Sequence, residues 1–299
     1  MNQSTDLRVN PQTARVAVAG HFGEIAQGRV GPDGPVAVVT LPCPALVTAV
    51  TYRPAFGGVT VPGPETAKAA AAARLALSAL GEKAAGWGGE IAIERPVAPG
   101  LGAGSSTAET LGALRAVAAG FGVAFAPERE AALCLAAEGA VDPLMHGRNC
   151  VFATREGRVL RWLAPLPPLL AVGGFAGPPR PTDPDDTAFP DRGALFEAIA
   201  AACEAGDAAA LGRAATQSAA ANQARRPHRA WDGLSALVGR LAAHGVALAH
   251  TGAAATLLLP ASADPRPALG ALSRVGLTGV RHWHIGASAD RRSGPEDLC

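Results

Sequence analysis

The sequence offers little for redox or metal-thiolate chemistry. Of its 299 residues five are cysteine (Cys43, Cys134, Cys150, Cys203 and Cys299), an odd set with no C-x-x-C pair. That argues against a disulfide framework or a zinc module and suits a reducing compartment. Net charge is nearly absent, with Lys+Arg 26 against Asp+Glu 25, so no field draws the chain to nucleic acid or to an acidic membrane surface. No segment offers about eighteen unbroken apolar residues. The opening MNQSTDLRVNPQTARVAVAG lacks a basic start followed by an apolar core. The expectation is a cytoplasmic protein with no membrane and no nucleic-acid partner, acting alone or as a homodimer.

Alanine dominates what is present, beside 36 Gly and 25 Pro, and its runs blur helical periodicity. Turn punctuation still divides the chain. RVAVAGHFGEIAQGRVGPDGPVAVVTLPCPALVTAVTYR alternates β-branched residues around GPDGP, which predicts several short strands in a hairpin or meander. PETAKAAAAARLALSALG predicts a helix with Glu65 near its start and Gly81 as its stop, and EIAIERPV a strand. PEREAALCLAAEGA places a proline and two glutamates in a first helical turn. NCVFATREGRVLRWL predicts two strands and PLLAVGGF a third. AGPPRPTDPDDTAFPDRG, dense in proline and aspartate, predicts a loop and a domain boundary. Three helices (ALFEAIAAACEAG, DAAALGRAATQSAAANQARR, WDGLSALVGRLAAHG), the strands VALAH and ATLLLP, a helix in PRPALGALSRVG and a strand VRHWHIG complete an α+β pattern. The tail ADRRSGPEDLC reads as loose, and NQARRPHR as a solvated basic helix end.

The stretch ERPVAPGLGAGSSTAETLGALRAVAAGFG, Glu94 to Gly122, carries the strongest chemical signal. A strand meets Gly100, Gly102 and Gly104, then Ser105, Ser106 and Thr107, then a helix. Backbone N–H groups at a helix start lack partners and sit at the positive end of the dipole, so anions settle there. Ser105 or Ser106 as an N-cap with Glu109 as its capping-box partner explains the same residues without any ligand. No lysine follows the glycines as in a Walker A loop, and the dinucleotide pattern G-x-G-x-x-G is broken at Ser105.

From Pro96 to Ala108, PVAPGLGAGSSTA resembles the nucleotide motif Pro-x-x-x-Gly-Leu-Gly-Ser-Ser-Ala of the GHMP small-molecule kinases, with two extra residues between Leu101 and the serines. GHFGEIAQG followed by VAVVTLPCP resembles the opening of the L-threonine kinase branch linked to cobalamin synthesis and propanediol use, as does the acidic residue after SSTA. GVALAHTGAAATLLLP resembles the third motif of these kinases, with Ala254 and Ala255 where Gly-Pro is frequent. The resemblance implies a ribosomal protein S5 domain 2-like domain over residues 1–175, a ferredoxin-like domain over 176–299, and ATP with Mg²⁺ between them. It also implies a small amino acid or alcohol as acceptor.

Within the resemblance, Pro99, Gly100, Leu101, Gly102, Ala103, Gly104, Ser105, Ser106 and Thr107 wrap the triphosphate. Ser106 and Glu109 hold Mg²⁺, serine oxygen being a hard ligand suited to that ion. Asp142 binds metal or orients the acceptor hydroxyl as a base, unless it is only an Asp-Pro turn residue. Glu24 and Gln27 face the acceptor from a glycine-flanked turn that His21 could join. Thr251 and Gly252 close over the phosphates and acceptor, with His250 beside them. Arg180, near Thr182 and Asp183, could pair with an acceptor carboxylate. The implied reaction is phosphorylation of L-threonine to O-phospho-L-threonine. A kinase for homoserine or another small alcohol, a dinucleotide oxidoreductase and a non-catalytic nucleotide-binding relative are the competing readings.

Overall fold

A computed structural model describes residues 10–286 apart from 65, 181, 182, 184 and 187. Glu65, Thr182, Cys299 and the tail from Ala289 lie outside the described residues.

The β-branched opening forms two long antiparallel strands, β1 (Ala14–Arg29) and β2 (Val36–Phe56), rather than several short ones. GPDGP turns between them, with Gly31 at φ +89. Glycines and prolines that read as breaks are absorbed as irregularities, and β1 shifts register between Ala19/Gly20, His21/Glu24 and Glu24/Ala26. Such bulges bend a strand and re-aim its side chains. Here they turn the middle of β1 toward the glycine loop.

The remaining elements fall where the periodicity places them, apart from the two-residue strand β3 (Val59–Thr60). In order they are α1 (Ala67–Leu80), β4 (Trp87–Glu94), α2 (Ser105–Gly120), α3 (Pro127–Glu138), β5 (Cys150–Ala153), β6 (Arg158–Trp162) and β7 (Leu169–Phe175). The second half adds α4 (Gly193–Ala205), α5 (Ala208–Asn222), α6 (Trp231–Arg240), β8 (Gly245–Leu248), β9 (Ala254–Pro260), α7 (Pro265–Arg274) and β10 (Thr278–Ile285). Local chemistry sets their ends. Pro127 opens α3 at N1, and left-handed Gly139 closes it by donating to the Leu135 carbonyl. The Asp207 and Asp264 carboxylates cap α5 and α7.

The sheet runs β10-β7-β9-β8-β1-β2-β4-β3, with β5 pairing β2 and β6. β1 joins its two halves, pairing β2 along most of its length and meeting β8 at Glu24–Leu248. β7 precedes the expected boundary at 175, yet it hydrogen-bonds to β9 and β10.

Apolar side chains on each sheet face bury against helices, each fully buried Leu, Ile or Phe contributing about 1.5–3 kcal/mol. Val18, Val50, Tyr52 and Ile91 pack against Leu111, Leu114 and Val117 of α2. Gly112 leaves room for Val50, whose methyl would lie 2.5 Å from an added Cβ. A central cluster sets Phe22, Ile25 and Leu41 against Phe196, Ile199 and Leu211, with Phe22 between Phe175 and Trp283 at 4.7 and 5.1 Å. Leu234, Leu237 and Leu272 cover the outer strands. Among the described residues no helix is long and apolar enough to cross a membrane.

Candidate active site

The glycine loop is held from two sides through its backbone. His21 N–H donates to the Ala103 carbonyl (3.3 Å) and Gly23 N–H to the Gly102 carbonyl (3.0 Å), so the bulged part of β1 grips one edge. Ala253 and Ala254 N–H both donate to the Leu101 carbonyl at 2.9 Å, so the third-motif turn grips the other. Both bonds are made by main chain alone, and Ala254, the first of the two alanines in place of Gly-Pro, makes one of them. The extra Ala103-Gly104 step fits by folding inward. Ala103 is buried in the central cluster, while Gly100, Gly102 and Gly104 take left-handed φ values of 79, 80 and 66 that glycine tolerates.

Gly104, not a serine, is the N-cap of α2, and no side chain caps that helix. The capping-box reading fails with it, because both Glu109 oxygens accept from Arg95, at 2.7 and 2.9 Å. This pair is largely buried and ties α2 to the end of β4. Glu109 is thereby turned to Arg95 and does not line the cleft that gathers the other expected site residues.

A different carboxylate meets the serines. Glu138, at the last turn of α3, accepts from Ser106 Oγ (2.6 Å), Thr107 Oγ1 (2.8 Å) and Thr110 Oγ1 (3.1 Å). Burial pushes its pKa up to about 7 against the pull of the Ser106 and Thr107 hydroxyls, with the neighbouring Asp142 charge adding to the rise. Thr107 Oγ1 also accepts from the Asp142 N–H (3.2 Å), so it braces two acids rather than facing a phosphate with its hydroxyl.

Asp142 Oδ2 lies 3.0 Å from His21 Nε2. His21 is 2% exposed. Burial disfavours its imidazolium, but the Asp142 charge and hydrogen bond, with Glu24 nearby, outweigh that and raise its pKa. Glu24 Oε2 accepts the His250 N–H at 2.7 Å, and His250 Nε2 lies 2.9 Å from Ser218 Oγ. Glu24 is thereby fixed at the seam between β1 and the third-motif turn.

No family model matches the chain, and no curated protein matches it by sequence. Solved structures do match. A homoserine kinase from Cytophaga hutchinsonii aligns at TM-score 0.67 and 14% identity, covering 95% of this chain and 96% of that one. The L. major mevalonate kinase in complex with R-mevalonate aligns at 0.66 and 17%, covering 94% and 99%. A 4-(cytidine 5'-diphospho)-2C-methyl-D-erythritol kinase aligns at 0.58 and 25%, covering 91% and 98%. The chain has the GHMP kinase fold.

In this GHMP kinase fold one cleft gathers Gly100, Gly102, Ala103, Gly104, Ser105, Ser106 and Thr107 with Glu24, Gln27, Asp142 and Thr251. Pro99 and Leu101 are not on its wall, and Leu101 packs against the central cluster instead. Gly252 lies against Gly102 and lines a smaller adjoining recess. Sequence reading missed Lys68, Glu138 and Arg155, which line the cleft with His21 and Arg180. Glu138 did carry a signal, since an acid in the last turn of a helix opposes the dipole and wants another reason to be there. Arg225 and Arg226, read as a solvated helix end, instead pair with Asp186, and Arg225 lies over the Phe189 ring at 4.0 Å. They pin the segment after β7 beside the cleft. Cys43, Cys134, Cys150 and Cys203 are all buried, with thiol pKa values pushed up by burial to about 11 or 12.

Proposed function

We propose that the protein is an ATP-dependent kinase that phosphorylates the side-chain hydroxyl of a small amino acid, L-threonine, giving O-phospho-L-threonine. One observation carries the reading: an uncapped helix start behind three left-handed glycines shares a cleft with the His21–Asp142 pair. Phosphoryl transfer needs positioning and charge stabilisation more than covalent help. The loop amides and the Ser105 hydroxyl supply donors for the phosphates.

The donor set also fits Mg²⁺. Among the described residues no three His, Cys, Asp or Glu side chains form a metal cluster, and Mg²⁺ in such sites keeps waters and phosphate oxygens beside one or two carboxylates. Glu138 and Ser106 are the residues that would hold it, both hard oxygen donors. Bound there, the ion would neutralise charge on the phosphates. A buried carboxylate whose pKa is lifted toward 7 is a group that gains from a cation.

Asp142 is placed to orient the acceptor hydroxyl and take its proton, with His21 fixing the carboxylate. Glu24 suits the amino group of an amino-acid acceptor, and Arg155 and Arg180 suit its carboxylate. A homoserine-like acceptor is the second reading, favoured by the likeness to a homoserine kinase structure. ADP release with Mg²⁺-ATP and threonine, serine, homoserine or mevalonate tests both. Acceptor-dependent release fastest with threonine is expected, and a preference for homoserine overturns the substrate alone. No release with any acceptor leaves the non-catalytic nucleotide-binding reading.

A further inference from the structure

A nucleoside triphosphate is a polyanion, whereas a helix N-terminus offers it only about half an elementary charge. The loop from Glu94 to Glu109 contains no lysine. The whole chain has two, Lys68 and Lys83, its other basic positions being arginine. Lys83 sits in the 3-10 turn Gly81–Ala84, and Lys68 lines the cleft.

Lys68 occupies the first turn of α1, with Ala67 as the first helical residue. A cation there opposes the helix dipole, so helix stability does not account for it. Among the described residues its ammonium makes no direct ion pair: it donates to Ser106 Oγ at a long 3.4 Å, and its charge acts on Glu138 only through space. Ser106 in turn donates to Glu138. Of the other cations on the cleft wall, Arg155 donates to Thr154 Oγ1 and the Asp183 carbonyl, and Arg180 is tied by its backbone N–H to the Gly100 carbonyl, at the far end of the loop from the serines. Among the described contacts Lys68 is the one of the three that donates to a loop serine.

We propose that Lys68 is a phosphate-binding residue of this cleft, an arm of α1 that supplies the charge the glycine loop lacks. The inference rests on the kinase reading and adds a residue to it. An ammonium suits the task because it is a compact charge with three donors that can follow the phosphate chain. A charge-assisted contact of this kind sets affinity by about ten- to a hundredfold.

Calorimetric titration of the full chain with AMP, ADP and a non-hydrolysable ATP analogue, each with Mg²⁺, tests it in wild type, Lys68→Met and Lys68→Arg. Lys68→Met is expected to weaken ADP and the analogue about tenfold or more and to leave AMP within about twofold, with the charge restored in Lys68→Arg recovering most of the loss. The thermal midpoint of the unliganded variant stays close to that of wild type, because a cation leaves the first turn of a helix while Glu138 loses a favourable charge nearby. Unchanged affinity for the analogue in Lys68→Met overturns the assignment, as does equal weakening of AMP. Wild type that binds none of the three nucleotides overturns the kinase reading itself, a result distinct from either.

Discussion

His21 Nε2 and Asp142 Oδ2 meet at 3.0 Å, one contributed by the bulge of β1 and the other by the segment that follows α3. The imidazole is buried and the carboxylate is 28% exposed. The carboxylate is therefore the member of the pair that an acceptor can reach, and the histidine fixes its direction. Asp142→Asn keeps the shape and removes the proposed base. It should lower kcat by about 10²- to 10⁴-fold with little change in KM for ATP. His21→Gln should cost less, about ten- to a hundredfold, because it disturbs orientation only. The ring also reports on the pair. By NMR titration its pKa should fall in Asp142→Asn, since the charge that raises it is gone.

Glu138 and Glu109 are both buried acids near the serines, and their substitutions should separate chemistry from stability. Glu138→Gln removes an oxygen charge facing Ser106, so steady-state assays should show a loss of kcat and a higher Mg²⁺ requirement. Glu109→Gln instead removes the carboxylate charge that pairs with the Arg95 guanidinium, whose side chain is 20% exposed. Breaking such a pair costs about 3–5 kcal/mol when fully buried, and somewhat less here because Arg95 keeps some water. Thermal melts should show that loss, while kcat per folded molecule stays close to wild type.

The element pattern was largely legible in the sequence because its punctuation is chemical. Pro127 and Gly139 bracket α3, and Gly81 ends α1, as local rules require. The long strand β1 was not legible. Its glycines look like breaks unless one knows that β2 continues alongside and that bulges take up the mismatch. In the site, the glycine loop was legible as a local pattern, whereas Asp142 was reached only through the family resemblance. The identity of the serine-facing carboxylate was not legible, because Glu109 fits a capping box by spacing alone while Glu138 reaches Ser106 only after α3 folds against α2. Arg155 and Lys68 were missed for the same reason, being brought to the cleft by packing rather than by a motif. Arg225 and Arg226 looked solvated because the partner that buries them, Asp186, lies in another segment.

Two groups lose stabilisation as pH rises towards and past neutrality, whereas His146 and His228, held low by burial, make their opposite contribution below about pH 6.5. The pKa of Glu138 is raised from 4.5 to about 7 by burial, and that of His21 is raised above its ordinary value by Asp142 once burial is overcome. For a raised folded-state pKa, the stabilisation is complete below the unfolded value and is lost as pH climbs through the folded one. Glu138 contributes its loss between about pH 4.5 and 7, and His21 adds its own above about 6.5. In metal-free buffer the thermal midpoint should therefore fall from pH 6 to pH 8. Glu138→Gln should flatten the part of that slope below about pH 7 and melt higher than wild type at pH 8. A wild-type midpoint that rises over this interval contradicts the assignment of either group.

Gly104 tests whether the longer loop is a fixed cradle or slack. It caps α2 at φ 66, and an added Cβ would sit 2.6 Å from His21 Cδ2. Gly104→Ala must therefore either shift the imidazole from Asp142 or twist the start of α2, and both damage the cleft. A left-handed alanine costs about 1 kcal/mol before the collision is counted. Gly122 makes the control, since it has φ 68 but nothing within 4 Å of the added atom. Gly122→Ala should lose a similar amount of stability from backbone strain and keep its kcat. Gly104→Ala should lose stability and at least tenfold in kcat, about the effect of displacing a positioned group. Equal kcat in the two variants would mean that the loop yields freely, and that the contact between Gly104 and His21 plays no part in holding the pair.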